Sequence, residues 1–238
     1  MTHQVGVVSF PGSNCEHDVC RAISHLGGSA KIIWHTEASV GEVDAVVLPG
    51  GFAHGDYLRT GAIARFSPVM AAVRAFGELG GPVVGICNGF QVLTESGMLP
   101  GALRSNAGMR FISETIECVV SSTHSVLTAN AVLGARLFLP INHYEGNFVA
   151  DEATLDALEE NGQVVLSYAS NPNGSSRSIA GIANRAGNVV GIMPHPERAS
   201  DELLGSTDGQ VLLASLLDAA IAFAERSPDP SVSANVAS

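Results

Sequence analysis

Four short runs, VGVVSF (5–10), AKIIWH (30–35), AVVLPG (45–50) and PVVGIC (82–87), are apolar and rich in β-branched residues, with no polar alternation. That pattern predicts strands covered on both faces, as in a parallel sheet. NCEHDVCRAISHLG and GAIARFSPVMAAVRAFGELG lie between them with helical periodicity, and Pro68 is expected to break or kink the second. Alternation of strand and helix predicts a doubly wound α/β sheet. From residue 98 to 150 the pattern changes. FISETIECVV and RLFLPIN are more alternating and read as antiparallel strands added to the main sheet.

Further on, ATLDALEEN predicts a short helix, and IAGIAN and NVVGIM flank a hairpin turn at RAG. GQVLLASLLDAAIAFAER predicts a closing amphipathic helix, with SPDPSVSANVAS as a frayed tail. One domain over 1–226 and a tail over 227–238 follow, with no internal repeat.

Composition narrows the function classes. The 238 residues are 46% hydrophobic, enough for one sizeable core, and 12 basic against 23 acidic residues give a formal charge of −11. This balance lacks the basic footprint that nucleic acid or an anionic membrane surface requires. No apolar run approaches the roughly 20 residues of a membrane span, so a cytoplasmic protein is expected. Cys15, Cys20, Cys87 and Cys118 show neither CxxC nor paired metal-ligand spacing, so free thiols and no metal site are expected. Lys31 is the sole lysine, which excludes a GxxxxGK[ST] phosphate loop.

The chemistry concentrates at GICNG. Gly85 and Gly89 bracket Cys87 at the spacing of a nucleophile elbow, where a strand turns sharply into a helix. Such a turn presents the sulfur and sets it at a helix N-terminus, which favours thiolate. The competing reading is an ordinary buried cysteine. An acyl-transfer thiol needs amide donors for the oxyanion; Asn88 N–H supplies one by position, and paired glycines in LPGGF (48–52) could supply another. In MPHPE, two prolines restrict the backbone to extended conformations, so that His195 and Glu197 project to one side as a base and its orienting carboxylate.

GICNGFQ, PGGF and MPHPE together resemble the class I, triad-type glutamine amidotransferases. PGSNC (11–15), GGFAHGDYLRTGAIARF (50–66), GICNGFQVLTESGMLPGAL (85–103), EGNF (145–148), NPNGS (171–175), MPHPERA (193–199) and ELLGSTDG (202–209) are similar to the family of glutaminase subunits of phosphoribosylformylglycinamidine synthase. The resemblance implies a flavodoxin-like, doubly wound, mostly parallel sheet flanked by helices. It implies glutamine hydrolysis in purine biosynthesis, with Cys87 as nucleophile, His195 as base, Glu197 as orienting acid, and the Gly51 and Asn88 amides as oxyanion hole. Gly50, Gln91 and His143 would contact substrate, although Gln91 reads equally as a polar brace of the first helical turn. Tyr144 stands where the family commonly has glycine.

The resemblance also implies partners: a large synthetase subunit and a small accessory subunit, with no cofactor in this chain and ATP and magnesium on the synthetase. Asp56 and Arg59 read either as interface residues or as ordinary surface charges, and Cys15 either as a group at the ligand-binding edge or as part of a helix-capping segment. Two rival functions remain at this stage: a stand-alone cysteine hydrolase of γ-glutamyl or ester bonds, and a non-catalytic redox-sensing module.

Overall fold

The computed structural model describes residues 3–226. The expected frayed tail at 227–238 therefore lies outside the described residues. The strands are β1 (Gln4–Ser9), β2 (Ser29–Trp34), β3 (Ala45–Leu48), β4 (Val83–Ile86), β5 (Ala102–Arg104), β6 (Ile112–Val120), β7 (Arg136–His143), β8 (Asn147–Val149), β9 (Val164–Tyr168), β10 (Ile179–Ala183) and β11 (Val189–Ile192). The helices are α1 (Glu16–His25), α2 (Val69–Glu78), α3 (Asn88–Glu95), α4 (Glu152–Glu160) and α5 (Gln210–Arg226).

Nine strands form one sheet in the order β2-β1-β3-β4-β11-β10-β9-β6-β7, and β5 and β8 pair separately. The pairs from β2 through β11 are parallel, and every pair from β11 to β7 is antiparallel. All four residues of β3 and of β4 are buried, as their unbroken apolar runs require. β2 departs from that expectation. It is the edge strand, with Ile32 and Trp34 both exposed, because it pairs with β1 alone.

Pro68 divides the second helical stretch as expected: a short turn over Ala64–Phe66 precedes it, and α2 starts at Val69. β10 and β11 form the predicted hairpin, and β6 and β7 the predicted antiparallel addition. That addition reaches the rest of the sheet only through β9, whose segment VVLSY was not foreseen as a strand.

The pairing that matters for chemistry is β4 with β11. They run parallel in the register Val83↔Val189 to Ile86↔Ile192, so the residues that follow each strand leave from the same sheet edge. α3 lies over β3, β4 and β11. Gly191 permits this approach, because a methyl there would overlap the Phe90 ring of α3.

Candidate active site

Cys87 follows β4 and precedes α3, with φ 52° and ψ −104°. A non-glycine residue held at such angles is strained, and strain of this kind persists only where surrounding packing fixes it. The packing is explicit. A methyl on Gly89 would overlap the Leu48 carbonyl, and one on Gly85 would lie 2.6 Å from the Gly89 carbonyl carbon. The Cys87 N–H donates to Ile192 O at 2.7 Å, pinning the turn to β11. Cys87 lines a pocket of about 200 Å³ with Asn14, Cys15, Gly51, Phe52, Phe111, Asn142, His195 and Arg198.

His195 reaches the same pocket from the end of β11. Its N–H donates to Pro140 O at 2.8 Å, and its Nδ1 bonds Glu197 Oε1 at 2.6 Å. The sequence reading expected extended backbone through both prolines. Instead Pro196–Arg198 makes a single 3₁₀ turn, whose fixed proline φ swings Glu197 back onto the ring. Burial pushes the imidazole towards its neutral form, but Glu197, then Cys87 and Cys15, outweigh that, so its pKa is raised well above the ordinary value. Among the described residues His195 Nε2 has no hydrogen-bond partner, leaving this ring nitrogen free for a reacting group.

Two backbone amides complete the geometry. Among the described residues, neither Gly51 N–H nor Asn88 N–H donates to a protein acceptor, so both are available to an oxyanion. Gly51 has φ 147°, and a methyl there would stand 2.7 Å from Ser13 Cα, which makes glycine obligatory. Gly50 sits beneath the His195 ring: its Cβ would lie 2.6 Å from His195 Cε1 and 3.0 Å from Cys15 Sγ.

The structure separates the remaining candidates. Gln91 is buried, donates through Nε2 to Glu145 O at 2.5 Å and accepts from Asn88 Nδ2 at 2.8 Å, the geometry of a brace. His143 is buried at the end of β7, with Nδ1 3.1 Å from Asn106 Oδ1. Both Asn106 amide hydrogens go to carbonyls, of Arg110 and His143, so its oxygen must accept and His143 carries its proton on Nδ1. Burial first, then nearby His195, lowers the His143 pKa to about 4. Arg59 makes a two-pronged pair with Glu95 at 2.5 and 2.6 Å, whereas Asp56 turns inward to Asn88.

Two pocket residues next to the thiols, Asn142 and Arg198, carry no expectation from the sequence, and the structure places Cys15, which the sequence leaves open between a ligand-edge group and a capping segment, in the pocket. Asn142 places its carbonyl 3.6 Å from Cys87 Sγ, and Arg198 donates through Nη2 to Cys15 Sγ at 3.0 Å. Cys15 is buried beside His195 and Glu197, their donor atoms lying within 4.8 Å of one another. Arg198 directly follows Glu197, which was the available signal; nothing local marks Asn142.

Residues 2–210 match the model of a CobB/CobQ-like glutamine amidotransferase domain. The chain is 53% identical over 214 residues to the phosphoribosylformylglycinamidine synthase subunit PurQ of Rubrobacter xylanophilus, covering 90% of this chain and 97% of that one. It is likewise 53% identical to the same-named subunit of Trichormus variabilis, with 92% and 99% covered. Among solved structures, that of PurLQS from Thermotoga maritima superposes with a TM-score of 0.85 at 36% identity, covering 92% of this chain and 99% of that one. A GMP synthase subunit homologue from Thermoplasma acidophilum shares the fold, at a TM-score of 0.67 and 15% identity, covering 96% of this chain and 99% of that one.

Proposed function

The chain belongs to the CobB/CobQ-like glutamine amidotransferase family, and from that premise we infer that it is the glutaminase subunit of phosphoribosylformylglycinamidine synthase, with Cys87, His195 and Glu197 as its catalytic triad. It is an enzyme, and it works with a large synthetase subunit and a small accessory subunit, as the likeness to PurQ proteins and to PurLQS supports. The single observation that carries the chemical assignment is the junction of β4 and β11, which sets a strained cysteine and a carboxylate-bound histidine around one pocket.

Cys87 thiolate attacks the side-chain amide carbon of glutamine, and the resulting oxyanion accepts hydrogen bonds from the Gly51 and Asn88 amides. His195, held by Glu197, protonates the departing ammonia; the thioester remains on Cys87. The same imidazole then takes a proton from water, which attacks the thioester and releases glutamate. Ammonia passes to the synthetase subunit, which converts formylglycinamide ribonucleotide to its amidine at the expense of ATP. Gly50 and His143 act on the substrate side through His195, Gly50 from directly beneath its ring and His143 as a nearby neutral imidazole.

ATP and its magnesium ion belong to the synthetase. The lack of a GxxxxGK[ST] loop in this sequence fits that division, as does the placement of Lys31 on edge strand β2 with its ammonium on Glu42 O. Among the described residues no helix is long and apolar enough to cross a membrane. A cytoplasmic location is supported by the four unpaired thiols, which suit a reducing compartment.

Replacing Cys87 by alanine tests the assignment in the assembled complex. Glutamine-dependent amidation is expected to fall by at least about 10³-fold while ammonia-dependent amidation persists. Loss of both activities with the complex intact would overturn it. A stand-alone hydrolase would turn glutamine over at full rate without the synthetase, and a redox module would not turn it over at all.

A further inference from the structure

The segment from Phe52 to Gly61 is laced along the first turns of α3. Ala53 N–H donates to Asn88 Oδ1 at 3.0 Å, and Asn88 Nδ2 donates to Asp56 Oδ1 at 3.2 Å and to Gln91 Oε1 at 2.8 Å. Every polar atom of the Asn88 side chain is thereby used. Further along, Thr60 Oγ1 donates to Glu145 Oε2 at 2.8 Å, while Glu145 O accepts from Gln91 Nε2 at 2.5 Å. Gly61 then passes so close to α3 that a methyl on it would lie 2.8 Å from the Gln91 carbonyl carbon.

This lacing holds a strained backbone. His54, Asp56 and Leu58 all have positive φ, at 54°, 54° and 71°. Three such non-glycine residues within five positions are costly and must be offset by the bonds just described. Two bonds of the segment converge on the side chain of Asn88, whose own backbone N–H is one of the two free amides beside Cys87. Asp56 is drawn partly out of solvent by this contact: burial outweighs the bond from Asn88 and raises its pKa to about 6, and nearby Glu145 adds to the rise.

We propose that Asp56 and Glu145 are positioning residues for glutamine hydrolysis, clamping Asn88 so that its amide points at the developing oxyanion. The proposal rests on the reading of Asn88 as an oxyanion donor. Asp56 fixes the Asn88 carboxamide directly; Glu145 holds Gln91, and through it Asn88, by its backbone carbonyl, while its carboxylate anchors the far end of the loop at Thr60. Neither side chain lines the pocket, so their effect falls on the transition state rather than on substrate binding.

The test compares D56A, D56N and T60V with the native chain in the complex with the synthetase and accessory subunits. D56A is expected to lower kcat for glutamine hydrolysis about 10- to 100-fold with KM within about threefold, short of deleting a donor outright. Asparagine at 56 can still accept from Asn88 Nδ2, so D56N should hold kcat within about threefold of native, and T60V should fall between the two. Alkylation of Cys87 by iodoacetamide, a displacement that forms no oxyanion, should proceed at the native rate in all three. Native kcat in D56A overturns the proposal, and so does a parallel loss of alkylation, which would make Asp56 a prop for the nucleophile itself. A C87A complex that still hydrolyses glutamine would instead overturn the functional reading beneath it.

Discussion

His195 and His143 stand at two strand ends of one sheet, each buried, each with Nε2 lacking a partner among the described residues, yet their acidities move in opposite directions. The difference is what Nδ1 meets. At His195 it meets a carboxylate, Glu197, which favours the imidazolium enough to overcome burial. At His143 it meets the neutral amide oxygen of Asn106, and burial prevails. One imidazole therefore favours its protonated form, whereas the other is a neutral dipole. Burial alone does not set the charge of a histidine; the acceptor facing its Nδ1 decides.

The strongest way to break this contrast is to remove the charge from Glu197. E197Q should cut glutamine hydrolysis roughly 10²- to 10⁴-fold, by analogy of role with a triad whose carboxylate becomes an amide. NMR titration of the imidazoles should show His195 losing its raised pKa, coming to resemble His143, which should stay neutral from about pH 5 upward in both proteins.

A smaller effect sharpens the other side of the comparison. Gly146 lies against the His143 ring so closely that a methyl would overlap it, and its N–H donates to Asn106 Oδ1 at 3.0 Å. G146A should destabilise the fold by about 1–3 kcal/mol in urea titrations, with the ring forced from its site. The effect on the His195 titration should be slight.

The smallest effect extends the rule to a carboxyl group. Among the described residues Asp56 has no cation facing it, only the Asn88 amide and the like-charged Glu145, and its pKa rises to about 6. The folded protein thus holds this proton more tightly than the unfolded chain, so native stability falls as pH rises from about 4 to about 6. Above that window D56N should exceed the native protein in stability by on the order of 1 kcal/mol, discounted for partial exposure, while at about pH 4 the two should unfold together. Equal stability at about pH 7.5 would contradict the assigned environment.

How much of this was legible in the sequence follows from the range of the interactions. The elbow is local: Gly85, Cys87 and Gly89 lie within five residues, and the steric reason for each glycine could be stated before the fold was known. His195 and Glu197 were equally legible as a pair, although the turn that joins them was read as extended because prolines permit both. β3 and β4 were clear from unbroken apolar runs, but the same composition in β2 gave no hint of an edge, since pairing is set elsewhere in the chain. β9 was missed because VVLSY is short and ends in polar groups, though Tyr168 is buried. Cys15 with Arg198, and Asp56 with Asn88, meet only through tertiary packing, and spacing carries no trace of them.

The adjacency of β4 and β11 has a consequence for biosynthesis. The thiol is translated in the first half of the chain and its base near the end, so a ribosome-bound fragment lacking β11 has a cysteine with no imidazole beside it. On the proposed roles such a fragment holds the nucleophile without its base, and the two meet only once the β10–β11 hairpin pairs with β4.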